Sequence, residues 1–126
     1  MRPQRYPNTS QLEIRRDAGV AECREPPQKM RLDPTVTDPQ LYKVFFENDR
    51  VRVMRYTDVP GNRTKPHDHP DSVLITLSNF RRRLTVGDRT VDVEKSPHEV
   101  IWNSAQTHVG ENTGTTDTDV IFVELK

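Results

Sequence analysis

Three histidines are the residues of this chain whose types and spacing could support chemistry. The stretch KPHDHPDSV contains His67 and His69 one residue apart, and His108 follows about forty residues later in WNSAQTHVGENTG. Side chains two residues apart on a strand share a face, so His67 and His69 should project together. Zinc, copper, iron and nickel all accept imidazole ligands, and three protein ligands leave positions open for water or substrate. The set predicts a metal centre, with a solvated loop pair as the alternative for His67 and His69.

Other polar residues near these histidines are candidates for catalysis or ligation. Asp71 is two residues beyond His69 and could share its face, although a turn role fits it as well. Gln106 is two residues before His108 and could bind metal weakly, hold substrate or lie in a solvated loop. Asn112 fits a structural hydrogen bond to the backbone better than a site role.

The elements that must position these residues are short β-strands. From residue 41 onward, extended runs rich in β-branched and aromatic residues alternate with turn signals. The runs are LYKVFFENDRVRVMRYTD with a turn at NDR, SVLITLSNF, EVIWN and DVIFVEL, and RRRLTVGDRTVDVEK is a hairpin that turns at Gly87-Asp88. No long amphipathic helix is predicted after residue 47. This spacing of strands and turns is typical of an all-β sandwich or barrel.

The N-terminal part of the chain has a different composition. Six of the ten prolines lie in residues 1–39, which are polar and mixed in charge. We therefore predict an extended, proline-rich arm over residues 1–40 and a β-domain over residues 41–126. Within the arm, SQLEIRRDAGVAECRE could form a short helix or a strand. Cys23, the single cysteine, cannot form an internal disulfide and fits a reducing cytoplasm.

The charge and hydropathy patterns argue against several partners. The chain has 19 basic and 19 acidic residues, so no nucleic-acid partner is expected. The one basic run, at Arg81, Arg82 and Arg83, is short and falls on a predicted strand. No long apolar stretch predicts a membrane span, and the N-terminus lacks the apolar region of a secretory signal. We expect a cytoplasmic protein that binds a small molecule, with His98 as a surface turn residue.

The spacing of the histidines resembles the two motifs of the cupin superfamily. The first motif, G-x5-H-x-H-x3,4-E-x6-G, is matched by Gly61, His67 and His69. The second, G-x5-P-x-G-x2-H-x3-N, is matched by His108 and Asn112. The resemblance covers most of the chain and implies an antiparallel β-barrel, the double-stranded jelly roll. It also implies a homodimer, for which LYKVFF would be a natural pairing edge.

The chain departs from the cupin pattern at the metal-binding glutamate of the first motif. Val73 and Leu74 stand where it would fall, and the following glycine is absent. In the second motif, Pro97, Asn103 and Ala105 stand near the places of the first glycine, the proline and the inner glycine. A dication held by three histidines alone would keep a net charge near +2 instead of about +1, which favours anionic ligands and acidifies a bound water.

The resemblance implies a metal-dependent enzyme that acts on a small organic molecule. The superfamily contains three-histidine iron enzymes such as the thiol dioxygenases. We therefore expect first a mononuclear non-heme iron dioxygenase-like activity, with Fe(II) held by His67, His69 and His108. A non-redox Zn(II), Ni(II) or Mn(II) enzyme, such as a polyketide cyclase, lyase or isomerase, is the runner-up. A non-catalytic ligand-binding or metal-binding cupin is the third candidate.

A substrate pocket would be lined by inward-facing residues of the apolar strands. An arginine in the lumen would favour an anionic substrate, such as a carboxylate or phenolate. The candidates for this arginine are Arg55, Arg81, Arg82 and Arg83, with a solvated sheet face as the alternative for most of them. The candidates for the wall, unless they only pack the core, are Tyr56, Phe80, Trp102 and Phe122.

Overall fold

The computed structural model describes residues 32–126, which form nine β-strands and one short helix. The predicted segment SQLEIRRDAGVAECRE and Cys23 lie outside the described residues, so the boundary of the arm at residue 40 stays a prediction. The elements are α1 (Pro34–Thr37), β1 (Tyr42–Glu47), β2 (Val51–Asp58), β3 (His67–His69), β4 (Ser72–Thr76), β5 (Phe80–Val86), β6 (Arg89–Lys95), β7 (Val100–Asn103), β8 (Gln106–Asn112) and β9 (Thr118–Leu125).

The strands form two antiparallel sheets. One has five strands in the order β1-β2-β9-β4-β7, and the other has four in the order β3-β8-β5-β6. The predicted hairpin is present, with Gly87 at φ 63° between β5 and β6, a backbone conformation that glycine adopts without steric cost. The all-β prediction is confirmed.

The predicted run SVLITLSNF is divided between the two sheets. Strand β4 ends at Thr76 in the five-stranded sheet, and β5 begins at Phe80 in the four-stranded sheet. The chain between them bonds to the start of β9, because Leu77 N–H donates to the Asp119 carbonyl at 2.8 Å and the Ser78 hydroxyl to the Asp117 carbonyl at 2.9 Å. A strand that changes sheets must break, and periodicity does not reveal that break.

Both faces of the five-stranded sheet carry apolar side chains. On the inner face, Met54 and Phe122 are partners in register and are buried. On the outer face, one row runs across all five strands in register: Phe46, Val53, Val123, Val73 and Trp102. The two ends of this row, Phe46 and Trp102, are each 54% exposed. The expected homodimer stays a prediction.

The segment before β1 holds β3 in place. The helix α1 begins at Pro34, and the Asp33 side chain caps it by accepting the Thr35 N–H at 2.8 Å. The Leu32 carbonyl accepts the Asp68 N–H at 2.9 Å, in the middle of β3. None of the helical structure in residues 32–126 is long and apolar enough to cross a membrane, and the cytoplasmic location stays a prediction.

Candidate metal centre

Strands β3 and β8 bring the three predicted histidines together. His67 pairs directly with His108, and His69 pairs with Gln106, so all four side chains share one face of the ribbon. The ring centroid of His67 lies 4.8 Å from that of His69 and 4.8 Å from that of His108. The ring centroids of His69 and His108 are 5.1 Å apart. The candidate ligand atoms of the three histidines all lie within 4.8 Å of one another, in a group that could hold a metal ion.

Hydrogen bonds from the Nδ1 atoms fix the orientation of two rings. His67 Nδ1 lies 2.9 Å from the Lys65 carbonyl oxygen, and His108 Nδ1 lies 2.8 Å from Gln106 Oε1. Both oxygens only accept hydrogen bonds, so each Nδ1 must carry the proton and donate. The Nε2 atoms of His67 and His108 therefore keep free lone pairs.

A buried carboxylate holds the third ring. His69 Nδ1 lies 2.8 Å from Glu124 Oε2, and the ring stacks on Phe122 at 4.6 Å between centroids. The other oxygen of Glu124 accepts from Arg52 Nε at 3.0 Å and Nη2 at 2.8 Å, and Arg52 also contacts Asp33 at 2.9 Å. Histidines that bind metals commonly donate their other N–H to a carboxylate in this way. The set of donors therefore fits a metal.

Burial keeps the imidazoles of His67 and His108 neutral. Burial, and secondly the neighbouring His69, lowers the pKa of His67 to about 4. Burial, His69 and His67 together lower the pKa of His108 to about 3. A metal binds only the neutral imidazole, so these two ligands are in the binding form at neutral pH.

The metal-free protein should lose stability in acid because of these shifts. A histidine in the unfolded chain has a pKa of about 6.5, so between that pH and about 4 the unfolded state binds more protons than the folded state. The free energy of unfolding is therefore not reduced by these two histidines above pH 6.5, and it decreases as the pH falls below that value. The pH dependence of the free energy of unfolding in urea, measured with chelator present, should show that the two histidines take up about two protons on unfolding near pH 5. The His108→Gln variant should take up about one proton fewer. An identical pH slope in the variant would show that His108 is not held neutral.

The hydroxyl group of Tyr42 also lies at the centre. Its oxygen is 3.2 Å from His67 Nε2 and 3.4 Å from His69 Nε2. Tyr42 is the first residue of β1, and it is the one residue of that strand that is buried. Sequence reasoning missed both Tyr42 and Glu124. The only sequence feature that points to Glu124 is that this charged residue lies on the same face of its predicted strand as the apolar Val120 and Phe122.

The two weak catalytic candidates lie in different places. Gln106 orients His108, as described above. Asp71 is exposed, and its Oδ1 accepts the N–H of Ala105, in the connection between β7 and β8, at 2.8 Å. Catalytic roles for both stay predictions. Asn112 is buried and donates to the Thr116 carbonyl at 2.9 Å, and His98 lies exposed in a turn.

A cavity of about 170 Å³ lies between the sheets and opens onto His67 and His108. Three of the four aromatic wall candidates line it, and Trp102 does not. Trp102 projects to the outer face because its neighbours Ile101 and Asn103 take the inward positions. The cavity is otherwise lined by Tyr42, Tyr56, Thr64, Leu74, Phe80, Arg82, Leu84, Val93, Lys95, Gly110, Thr118, Val120 and Phe122.

Arg82 is the arginine that faces the cavity. Its Nη1 donates to Asp58 Oδ2 at 2.5 Å and its Nη2 to the Tyr56 hydroxyl oxygen at 3.2 Å, so its charge is balanced in place. Lys95 is a second cation on the lining, with a long 3.9 Å ion pair to Glu99. The other three candidate arginines are exposed, and they pair with carboxylates on neighbouring strands: Arg55 with Asp119, Arg81 with Glu94 and Arg83 with Asp92.

Known structures share the fold of this chain. Neither a protein-family model nor a curated protein matches its sequence. A cupin domain from Bordetella pertussis Tohama I has a TM-score of 0.64 at 22% identity, over 68% of this chain and 92% of that one. A predicted oxalate decarboxylase from Thermotoga maritima has a TM-score of 0.50 at 19% identity, over 68% and 79% of the two chains. A polyketide cyclase from Streptomyces resistomycificus has a TM-score of 0.51 at 20% identity, over 67% and 63%. The predicted cupin fold is confirmed, and identities this low show the fold alone.

Proposed function

We propose that this cupin-fold chain is a metal-dependent enzyme that acts on a small organic molecule. One divalent ion would be held by His67, His69 and His108. The observation that carries the proposal is that an acceptor-only oxygen faces each of the three Nδ1 atoms, which leaves the Nε2 lone pairs of a tight cluster for a cation. When bound, such an ion would supply Lewis acidity, and ferrous iron would add redox chemistry with dioxygen.

The residues around the cluster prepare it for this role. Lys65, Glu124 and Gln106 each hold one imidazole through its Nδ1, so the ligands need little reorganisation. Apolar side chains such as Leu74 and Phe80 line the adjoining cavity and offer an apolar surface to a ligand.

The proposed substrate is a small molecule with an apolar body and an anionic group. The cavity of about 170 Å³ is too small for a polymer, and most of its lining is apolar. The anionic group would bind Lys95, because Asp58 already balances the charge of Arg82 while Glu99 lies 3.9 Å from the ammonium group. A small number of polar groups in an apolar cavity is the usual way to orient a small ligand.

Two classes of reaction fit this arrangement. A non-heme iron dioxygenase-like activity is our first proposal, since the cluster leaves coordination positions free for a second reactant. A non-redox zinc, nickel or manganese enzyme is the second, because imidazole sets also suit zinc and one structure of the same fold is a polyketide cyclase. A non-catalytic binding protein is the outcome if neither is active.

Oxygen consumption separates these classes. We expect chelator-stripped protein that is reloaded anaerobically with Fe(II) to consume oxygen with one class among thiols, phenols and 1,3-diketones. Zinc-loaded protein serves as the matched control and should consume none. Conversion of a substrate by the zinc form, without oxygen uptake by the iron form, would overturn the dioxygenase proposal in favour of the second class.

A further inference from the structure

We propose that Tyr42 supplies a fourth protein ligand to the metal through its phenol oxygen. This inference rests on the proposed metal site. The oxygen lies 3.2 Å from His67 Nε2 and 3.4 Å from His69 Nε2. With metal–ligand distances of about 2.0–2.1 Å, neighbouring ligand atoms of a tetrahedral site are about 3.3 Å apart. Both distances match the edge of such a tetrahedron, and an ion bound there would expand its coordination to admit a second reactant.

In the form of the rings that binds a metal, hydrogen bonding alone does not satisfy this contact. A phenol has one proton to donate, and when both imidazoles are neutral with the ring proton on Nδ1, both Nε2 atoms are acceptors. Tyr42 can therefore satisfy His67 or His69 and must turn an oxygen lone pair toward the other. Leaving a buried acceptor without a partner is unfavourable. A cation among the three atoms removes the conflict.

Packing that needs no metal places the phenol oxygen there. Tyr42 pairs in register with Tyr56, and the two ring centroids are 4.7 Å apart. The ring also meets the edge of His67 at 5.7 Å between centroids. The position is therefore organised in advance, as a ligand position must be.

Ligation by Tyr42 would also compensate for the absence of the cupin metal-binding glutamate at residues 73 and 74. The first cupin motif places a glutamate there, and this chain has Val73 and Leu74. A phenolate bound from β1 would bring the net charge of a dication near +1, as that glutamate does. Its proton would pass to solvent when the metal binds.

Visible spectroscopy of the ferric form tests this inference. We expect protein loaded with iron and then oxidised to show a phenolate-to-iron(III) charge-transfer band. The Tyr42→Phe variant should bind iron through the three histidines but lack the band, with an affinity at least about tenfold lower. The matched control is Tyr56→Phe, which removes a buried hydroxyl bonded to Asp58 instead of the histidines and should keep the band.

The possible results separate two failures. If wild-type protein holds a full complement of iron without the band, or if Tyr42→Phe keeps the band, Tyr42 is not a ligand and the histidine site stands. If no iron or zinc binds at all, the proposed function fails together with the inference. Circular dichroism of each variant verifies that the β-sheet content is unchanged.

Discussion

Replacing His108 by alanine should abolish stoichiometric metal binding. His108 is the one histidine supplied by β8, and it closes the cluster opposite the His67–His69 pair. Loss of a residue that only orients a ligand typically costs about 10–100-fold in metal affinity, so loss of the ligand itself should cost more than about 100-fold. Metal content after dialysis, and competition with a chelator for zinc, would measure the change.

The matched control for this variant is the histidine outside the cluster. His98 is exposed and has φ 68°, so asparagine, which tolerates this conformation, is the suitable replacement. His98→Asn should bind metal as the wild type does. Equal metal content in His108→Ala and His98→Asn would show that the ligand set is wrong.

Replacing Glu124 by glutamine should weaken metal binding without changing any ligand. Glutamine has nearly the same shape, but it removes the negative charge that faces His69 and Arg52. We expect metal affinity to fall by about 10–100-fold, because the neutral amide stabilises the metal-bound imidazole less. The free energy of unfolding of the metal-free protein should fall by about 1–3 kcal/mol, because Arg52 keeps only Asp33 as a partner.

A second glutamate on a strand provides the comparison. Glu94 lies on β6, is exposed, and contacts Arg81 at 3.4 Å. Glu94→Gln should leave both metal affinity and stability unchanged, since exposed ion pairs contribute little. Chelator competition reports the affinity, and urea unfolding reports the stability. A Glu124→Gln variant with wild-type affinity would show that the carboxylate supports the fold and not the metal.

Local sequence patterns predict the part of the site that lies on adjacent strands. The alternation of a strand places His67 and His69 on one face, and the same rule places Gln106 beside His108. The resemblance to the cupin motifs connects the two segments, and the register of β3 with β8 brings them together. The sequence also predicts the turns at residues 48–50 and 87–88, because turns depend on local residue types.

The remainder of the site depends on pairings between distant strands, which one sequence does not reveal. Tyr42 and Glu124 reach the histidines from β1 and β9, near the two ends of the described chain. Where both faces of a sheet are apolar, the alternation of side chains along a strand does not show which of them point inward. Trp102 and Ile101 are both hydrophobic, yet only Ile101 lines the cavity. For the same reason, no pattern distinguishes the inward Arg82 from its neighbours.

X-ray absorption of stoichiometrically loaded protein tests the central claim most directly. If His67, His69 and His108 hold one divalent metal ion, chelator-stripped protein should take up one zinc or ferrous ion per chain. Its fine structure should show scattering from three imidazoles, which falls to two in any weakly loaded His108→Ala sample. Substoichiometric uptake by a folded wild-type protein, or a bound ion without imidazole scattering, would contradict the account.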